Sequence, residues 1–238
     1  MNKRFKFFSL ALLAGSLTST SAFAVTVGSG MFNLGGTVQG AANGLNFFLS
    51  VPSPADQKAL VLLPTQGAFS DLASTTVESV KNLTTANGVV PGTSFNFVNW
   101  ITLTDGINLD ATAIPIPVLP ACSGDLITTG CLVAPTSPVV LKVTNNVVTA
   151  GLLVDGVAHF AGQTDLTPFV GTFTSTNTGY SSITAFETAF FGAGVTPIAY
   201  QANFITTAPI TTPEPAAILL ASCGLVGLGL LRRRKASR

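Results

Sequence analysis

The sequence predicts an all-β fold, a single β-sandwich or jelly-roll-like domain with one or two short helices. Three observations carry that reading. Apolar residues recur at every second position in several runs, turn-forming pairs interrupt those runs at short intervals, and helical spacing is scarce. Alternation with period two puts one side of a strand in a core and the other in water. Short strands punctuated by turns are the pattern of sandwiches and barrels.

Taken in order, the turn pairs Asn43-Gly44, Asn87-Gly88 and Asp105-Gly106 bound the first runs. Such pairs accept the positive φ that tight hairpins need. Within residues 94–104, Phe95, Phe97, Ile101 and Leu103 alternate with Ser94, Asn96, Thr102 and Thr104. Residues 114–120 (IPIPVLP) read as an extended crossing. Residues 139–143, 147–153 and 157–160, joined at Asn145-Asn146 and Asp155-Gly156, read as a three-strand meander. Phe169, Gly171 and Phe173 alternate with Thr172 and Thr174, and Ile198, Tyr200, Ala202 and Phe204 with Gln201 and Asn203. The spacing of Ile183, Phe186, Ala189 and Phe190 predicts a helix over 182–191, capped by Ser182 and ended by Gly192. A second helix is weaker over 72–81, because Thr75, Thr76 and Val77 favour strand. No repeat or long linker divides the body, so residues 25–206 form one domain and 207–212 a tether.

Charge is unevenly distributed. Eight of the eleven basic residues lie in the two terminal segments, and the body from 25 to 212 keeps only Lys58, Lys81 and Lys142 against nine carboxylates, a net −6. A body without arginine excludes nucleic acid as a partner, since binding there needs clustered cations at phosphates. Cys122 and Cys131 are the body's two cysteines. In an oxidising compartment they would close a ten-residue disulfide loop. The alternative, a metal pair, lacks a nearby histidine or third cysteine to complete a tetrahedral set.

The ends predict export. Lys3, Arg4 and Lys6 precede an apolar stretch over 7–17, and a polar stretch over 18–21 leads to Ala22-Phe23-Ala24. That is a secretory signal peptide over 1–24, recognised by the Sec translocon and cut by signal peptidase after Ala24 to leave Val25 first. At the other end Pro213, Glu214 and Pro215 precede an apolar stretch of sixteen residues, 216–231. As a helix these span roughly 24 Å, and snorkelling arginines lengthen the reach across the inner membrane. Arg232, Arg233, Arg234, Lys235 and Arg238 follow and hold the basic tail, 232–238, in the cytoplasm. The two prolines keep the triplet extended and outside the helix.

This order of proline-bracketed triplet, apolar helix and arginine cluster, beside a signal peptide, resembles the PEP-CTERM sorting signal over residues 213–238. The resemblance implies processing by an exosortase near Pro213–Pro215, after which the protein is released or attached at the cell surface or in the extracellular matrix. It also implies a role in biofilm alongside exopolysaccharide. Cys223 inside the helix is a departure from the pattern and reads as a packed small side chain.

No catalytic constellation, cofactor or metal site is expected in the body. His159 is the single histidine, and no G-x-S-x-G elbow supplies it with a nucleophile. It reads as a packed or hydrogen-bonded strand residue. Glu78 and Glu187 sit on the candidate helices, where solvated faces suit them. The stretch 105–110, with Asp105, Asn108 and Asp110, could offer oxygens to calcium but lacks the EF-hand layout. The reading is therefore a non-enzymatic surface or matrix protein, with a secreted carbohydrate- or calcium-binding module as the alternative.

Overall fold

Alternating side chains become strands that close on themselves. The computed structural model describes residues 26–41, 44–49, 57–74, 76–123, 129–180, 182–191 and 197–208. The expected signal peptide with Ala22 and Ala24, the Pro213-Glu214-Pro215 motif, the apolar segment 216–231 and the basic cluster lie outside these residues. So does Gly192, the expected end of the helix. The elements are β1 (Gly30–Ala41), β2 (Gly44–Phe48), β3 (Lys58–Gly67), β4 (Val77–Val80), β5 (Leu83–Thr84), β6 (Ser94–Thr102) and β7 (Ile107–Ala113). They continue with β8 (Cys131–Leu132), β9 (Val140–Thr144), β10 (Val147–Phe160), β11 (Thr167–Asn177), α1 (Ile183–Phe191) and β12 (Ile198–Thr206). The all-β expectation holds.

Eight strands pair in the ring β11-β12-β1-β3-β4-β6-β7-β10, and β10 returns to β11. The alternation seen in the sequence fits two stacked sheets or one sheet closed on itself; the pairing here closes. Closure satisfies backbone groups that an open sheet leaves at its edges. β12 fits between β11 and β1, so the end of the body pairs with its beginning (Gly30 opposite Thr206). β1 pairs with β3 over its first half and with β2 over its second, and β5 extends β2. On the opposite side β9 and β7 share one edge of the long β10, and β8 flanks β9.

The interior is filled by aromatic rings. Phe32, Phe69, Phe204 and Trp100 are fully buried, with Phe169 and Phe173 beside them. Phe32 stacks on Phe204 at 4.7 Å, and Trp100 meets Phe173 at 5.8 Å and Phe204 at 6.0 Å. Rings at these separations add attraction beyond the area they bury. α1 covers one part of the body with Ile183, Phe186 and Phe190, and Ser182 Oγ accepts from Ala185 N at 3.1 Å as an N-cap should.

Four expectations are corrected. Asp155-Gly156 is not a turn: β10 runs unbroken through it for 14 residues, with only a register shift against β7. Glycine is needed there because a Cβ would land on the Asp110 carbonyl and the Phe169 ring. The second helix does not form. Residues 77–80 are β4, in keeping with the β-branched residues around them, and a 3-10 turn, Thr85–Asn87, ends at the left-handed Gly88 where a hairpin was expected. In β6 the strict alternation breaks at Asn99, whose φ of +49° lets adjacent Trp100 and Ile101 both point inward. Asn145 and Asn146 do form the hairpin turn, with φ of +52° and +61°.

Candidate functional site

Glu78, Asp105, Asp110 and His159, four of the ionisable residues singled out from the sequence, gather on the β4–β6–β7–β10 side, each engaged with backbone. Glu78 is buried on β4, not solvated on a helix. Its Oε2 accepts from Thr104 N at 2.8 Å and its Oε1 from Thr104 Oγ1 at 2.9 Å. Burial raises its carboxyl above the ordinary range, against the two Thr104 bonds that favour the charged form. Asp105 Oδ1 accepts from Ile107 N at 2.9 Å and closes the β6–β7 turn, while its Oδ2 is enclosed without a partner. Burial raises this carboxyl too.

Asp110 Oδ1 accepts from Asn99 N at 2.6 Å and lies 3.3 Å from His159 Nε2. His159 Nδ1 lies 3.1 Å from the Phe160 carbonyl, so both ring nitrogens face oxygen acceptors. This is the hydrogen-bonded strand histidine expected. Asp105 and Asp110 commit to different partners and do not converge on one cation. Among the described residues no group of three His, Cys, Asp or Glu side chains is placed to hold a metal ion. Glu187 lies on α1 with Oε1 enclosed and unpartnered, and burial raises its carboxyl.

Cys122 and Cys131 form a disulfide, their Cα atoms 4.8 Å apart. The metal-pair alternative is thereby excluded. The bridge is reinforced by Cys122 N donating to Leu132 O and Leu132 N to Pro120 O, both at 2.9 Å.

The opposite side of the ring has a feature that no motif announced. Its outward residues align in cross-strand rows. One row reads Leu153, Thr172, Asn203, Asn33, Leu62 from β10 to β3, and the next Gly151, Thr174, Gln201, Gly35, Leu60. Two hollows of about 630 and 460 Å³ open here and share Leu62, Thr174 and Gln201, so they form one cleft. No described residue lining either hollow is charged. The Leu62 side chain folds over Gly35, where a Cβ would sit 2.7 Å from its Cδ1. Asn203 Nδ2 donates to Asn33 Oδ1 at 2.8 Å, and Asn33 Nδ2 to the Pro64 carbonyl at 2.9 Å. Tyr200 borders the cleft beside Gly36; its hydroxyl is buried without a partner, and burial raises its pKa. The period-two pattern on β11 and β12 contained these outward residues, but only strand order could place them side by side.

Comparison of the chain with protein-family models, curated proteins and solved structures finds no match to any of them. Among the described residues no helix is long and apolar enough to cross a membrane.

Proposed function

We propose that the chain is an exported cell-surface or extracellular-matrix protein without enzymatic activity of its own, processed by an exosortase at Pro213-Glu214-Pro215. The observation that carries the reading is the order of three signals at one end: the proline-bracketed triplet, the sixteen-residue apolar stretch and the cluster Arg232, Arg233, Arg234, Lys235 and Arg238. A signal peptide ending at Ala24 accompanies it. The positive-inside rule then leaves residues 25–212 outside the cytoplasm. The disulfide supports an oxidising destination.

In this reading the body is cargo. Its buried carboxylates serve backbone donors, and His159 meets a carboxylate and a carbonyl instead of a nucleophile. The ring's interior is filled by side chains that meet across it: Trp100 on β6 reaches Phe204 on β12, three strands away around the ring. Exopolysaccharide is the partner that the sorting signal implies.

Intact-mass measurement of the protein released by the native cell tests the reading. The expected species starts at Val25 and lacks residues beyond the Pro-Glu-Pro region. Deletion of the exosortase should leave Arg232–Arg238 in place. A secreted wild-type chain that retains those arginines would overturn processing.

A further inference from the structure

We propose that the cleft over β11, β12, β1 and β3 is a binding groove for an uncharged polysaccharide. The inference rests on the reading of the body as exported cargo and adds to it a site and a class of ligand.

Four observations carry it. The two hollows join into one elongated depression across four strands, a shape suited to a length of polymer. Its polar groups are hydroxyls and amides: Thr172, Thr174 and Thr176 from β11, Gln201 and Asn203 from β12, and Asn33 from β1. Among the described residues no hydrogen bond of the protein engages the Gln201 amide or the hydroxyls of Thr172 and Thr176, so these are free to meet sugar hydroxyls. The β3 wall, Leu60, Leu62 and Leu63, is apolar and can lie against the C–H faces of a sugar ring.

The fourth observation is the floor. Outward Gly35, between Gln201 and Leu60, carries no side chain and lets Leu62 fold over the backbone, which keeps the depression shallow-walled at its centre. Charge selects the class. With no cation in the lining and a net −6 over the body, an anionic polymer would be repelled rather than gathered.

The test uses protein recovered from cells expressing the full chain, run in native gels cast with dextran, hydroxyethyl cellulose or galactomannan, and with alginate as the anionic comparison. Retardation by at least one neutral polymer and none by alginate is expected. The outward substitutions Thr174→Ala and Gln201→Ala together should weaken that retardation about tenfold, as for loss of one or two net hydrogen bonds. Thr102→Ala, exposed on β6 on the other side of the ring, should leave it unchanged.

No retardation by any neutral polymer, equal retardation of the Thr174/Gln201 pair, or retardation by alginate alone would overturn the proposal. Sedimentation of the same samples covers the remaining occupant: concentration-dependent self-association abolished by Gln201→Glu would assign the face to a second copy and also overturn it. Failure here is separable from failure of the export reading. A correctly trimmed extracellular protein that binds no polymer loses only the groove, whereas a binder that stays in the cytosol loses only the export.

Discussion

Between β6 and β7 the ladder slips twice, between Ser94 and Phe97 and between Phe97 and Ile101, whereas β1 and β12 stay in step over nine consecutive pairs. The carboxylates follow the irregularity. Asp110 takes the amide of left-handed Asn99, Glu78 takes both donors of Thr104 beyond the end of β6, and Asp105 closes the turn before β7. Along the regular β1–β12 ladder no carboxylate is needed, and backbone is met there by neutral side chains such as Asn33, which donates to the Pro64 carbonyl. Glu78, Asp105 and Asp110 therefore mark mended backbone, whereas the outward residues lining the cleft are uncharged.

The largest expected effects test whether both walls share one core. Trp100→Ala on the irregular side and Phe204→Ala on the regular side should each cost about 3–5 kcal/mol in denaturant unfolding. A loss at Phe204 far below that at Trp100 would divide the walls into separate cores. Next comes the disulfide, which lies beyond both walls. Replacing Cys122 and Cys131 by serine should cost about 2.5–3 kcal/mol through the unfolded chain and leave the cleft's binding intact.

Glu78→Ala should cost about 1–3 kcal/mol, since Thr104 N and Oγ1 lose their acceptor in an enclosed site. The smallest effect belongs to the regular face, where Thr176→Ala should stay within about 0.5 kcal/mol. Equal costs at Glu78 and Thr176 would break the contrast.

The pH dependence sharpens it further. Glu78 and Asp105 have folded-state carboxyls raised by burial, so the folded protein holds their protons more tightly than the unfolded chain does. Their contribution to stability is complete below the unfolded carboxylate range and is lost as pH rises through their folded values. Glu78→Gln should flatten that decline in a melting-temperature series taken upward from pH 4. An unchanged slope would remove Glu78 from the account.

Much of the fold was legible because it rests on local chemistry. Asn145-Asn146 can turn a hairpin whatever surrounds it, and Ser182 caps α1 with a bond three residues away. Gly156 was misread because glycine has two uses, turning and making room; here a ring from β11 and a carbonyl from β7 take the room. Glu78 was misread because it was assigned to a helix that β-branched neighbours turn into a strand. His159 was legible as a residue without a nucleophile, but its partner Asp110, 49 residues away, was not. The cleft was invisible for the same reason. Thr174, Gln201 and Leu62 become neighbours only when β12 enters between β11 and β1.

That late insertion also governs timing and posture. If the body is exported as proposed, the strands on both sides of the gap would wait unzipped until residues 198–206 had been translocated, so the shell could shut only when almost all of it had emerged. On the proposed topology just nine residues, 207–215, then separate Thr206 from the apolar anchor, a leash of about 30 Å when taut. The start of the body leaves from the same rim, with Ser29 Oγ accepting from Ala208 N at 3.0 Å. The newborn protein would hang from the bilayer by one end like a lantern, and severing the leash would free it without opening a seam.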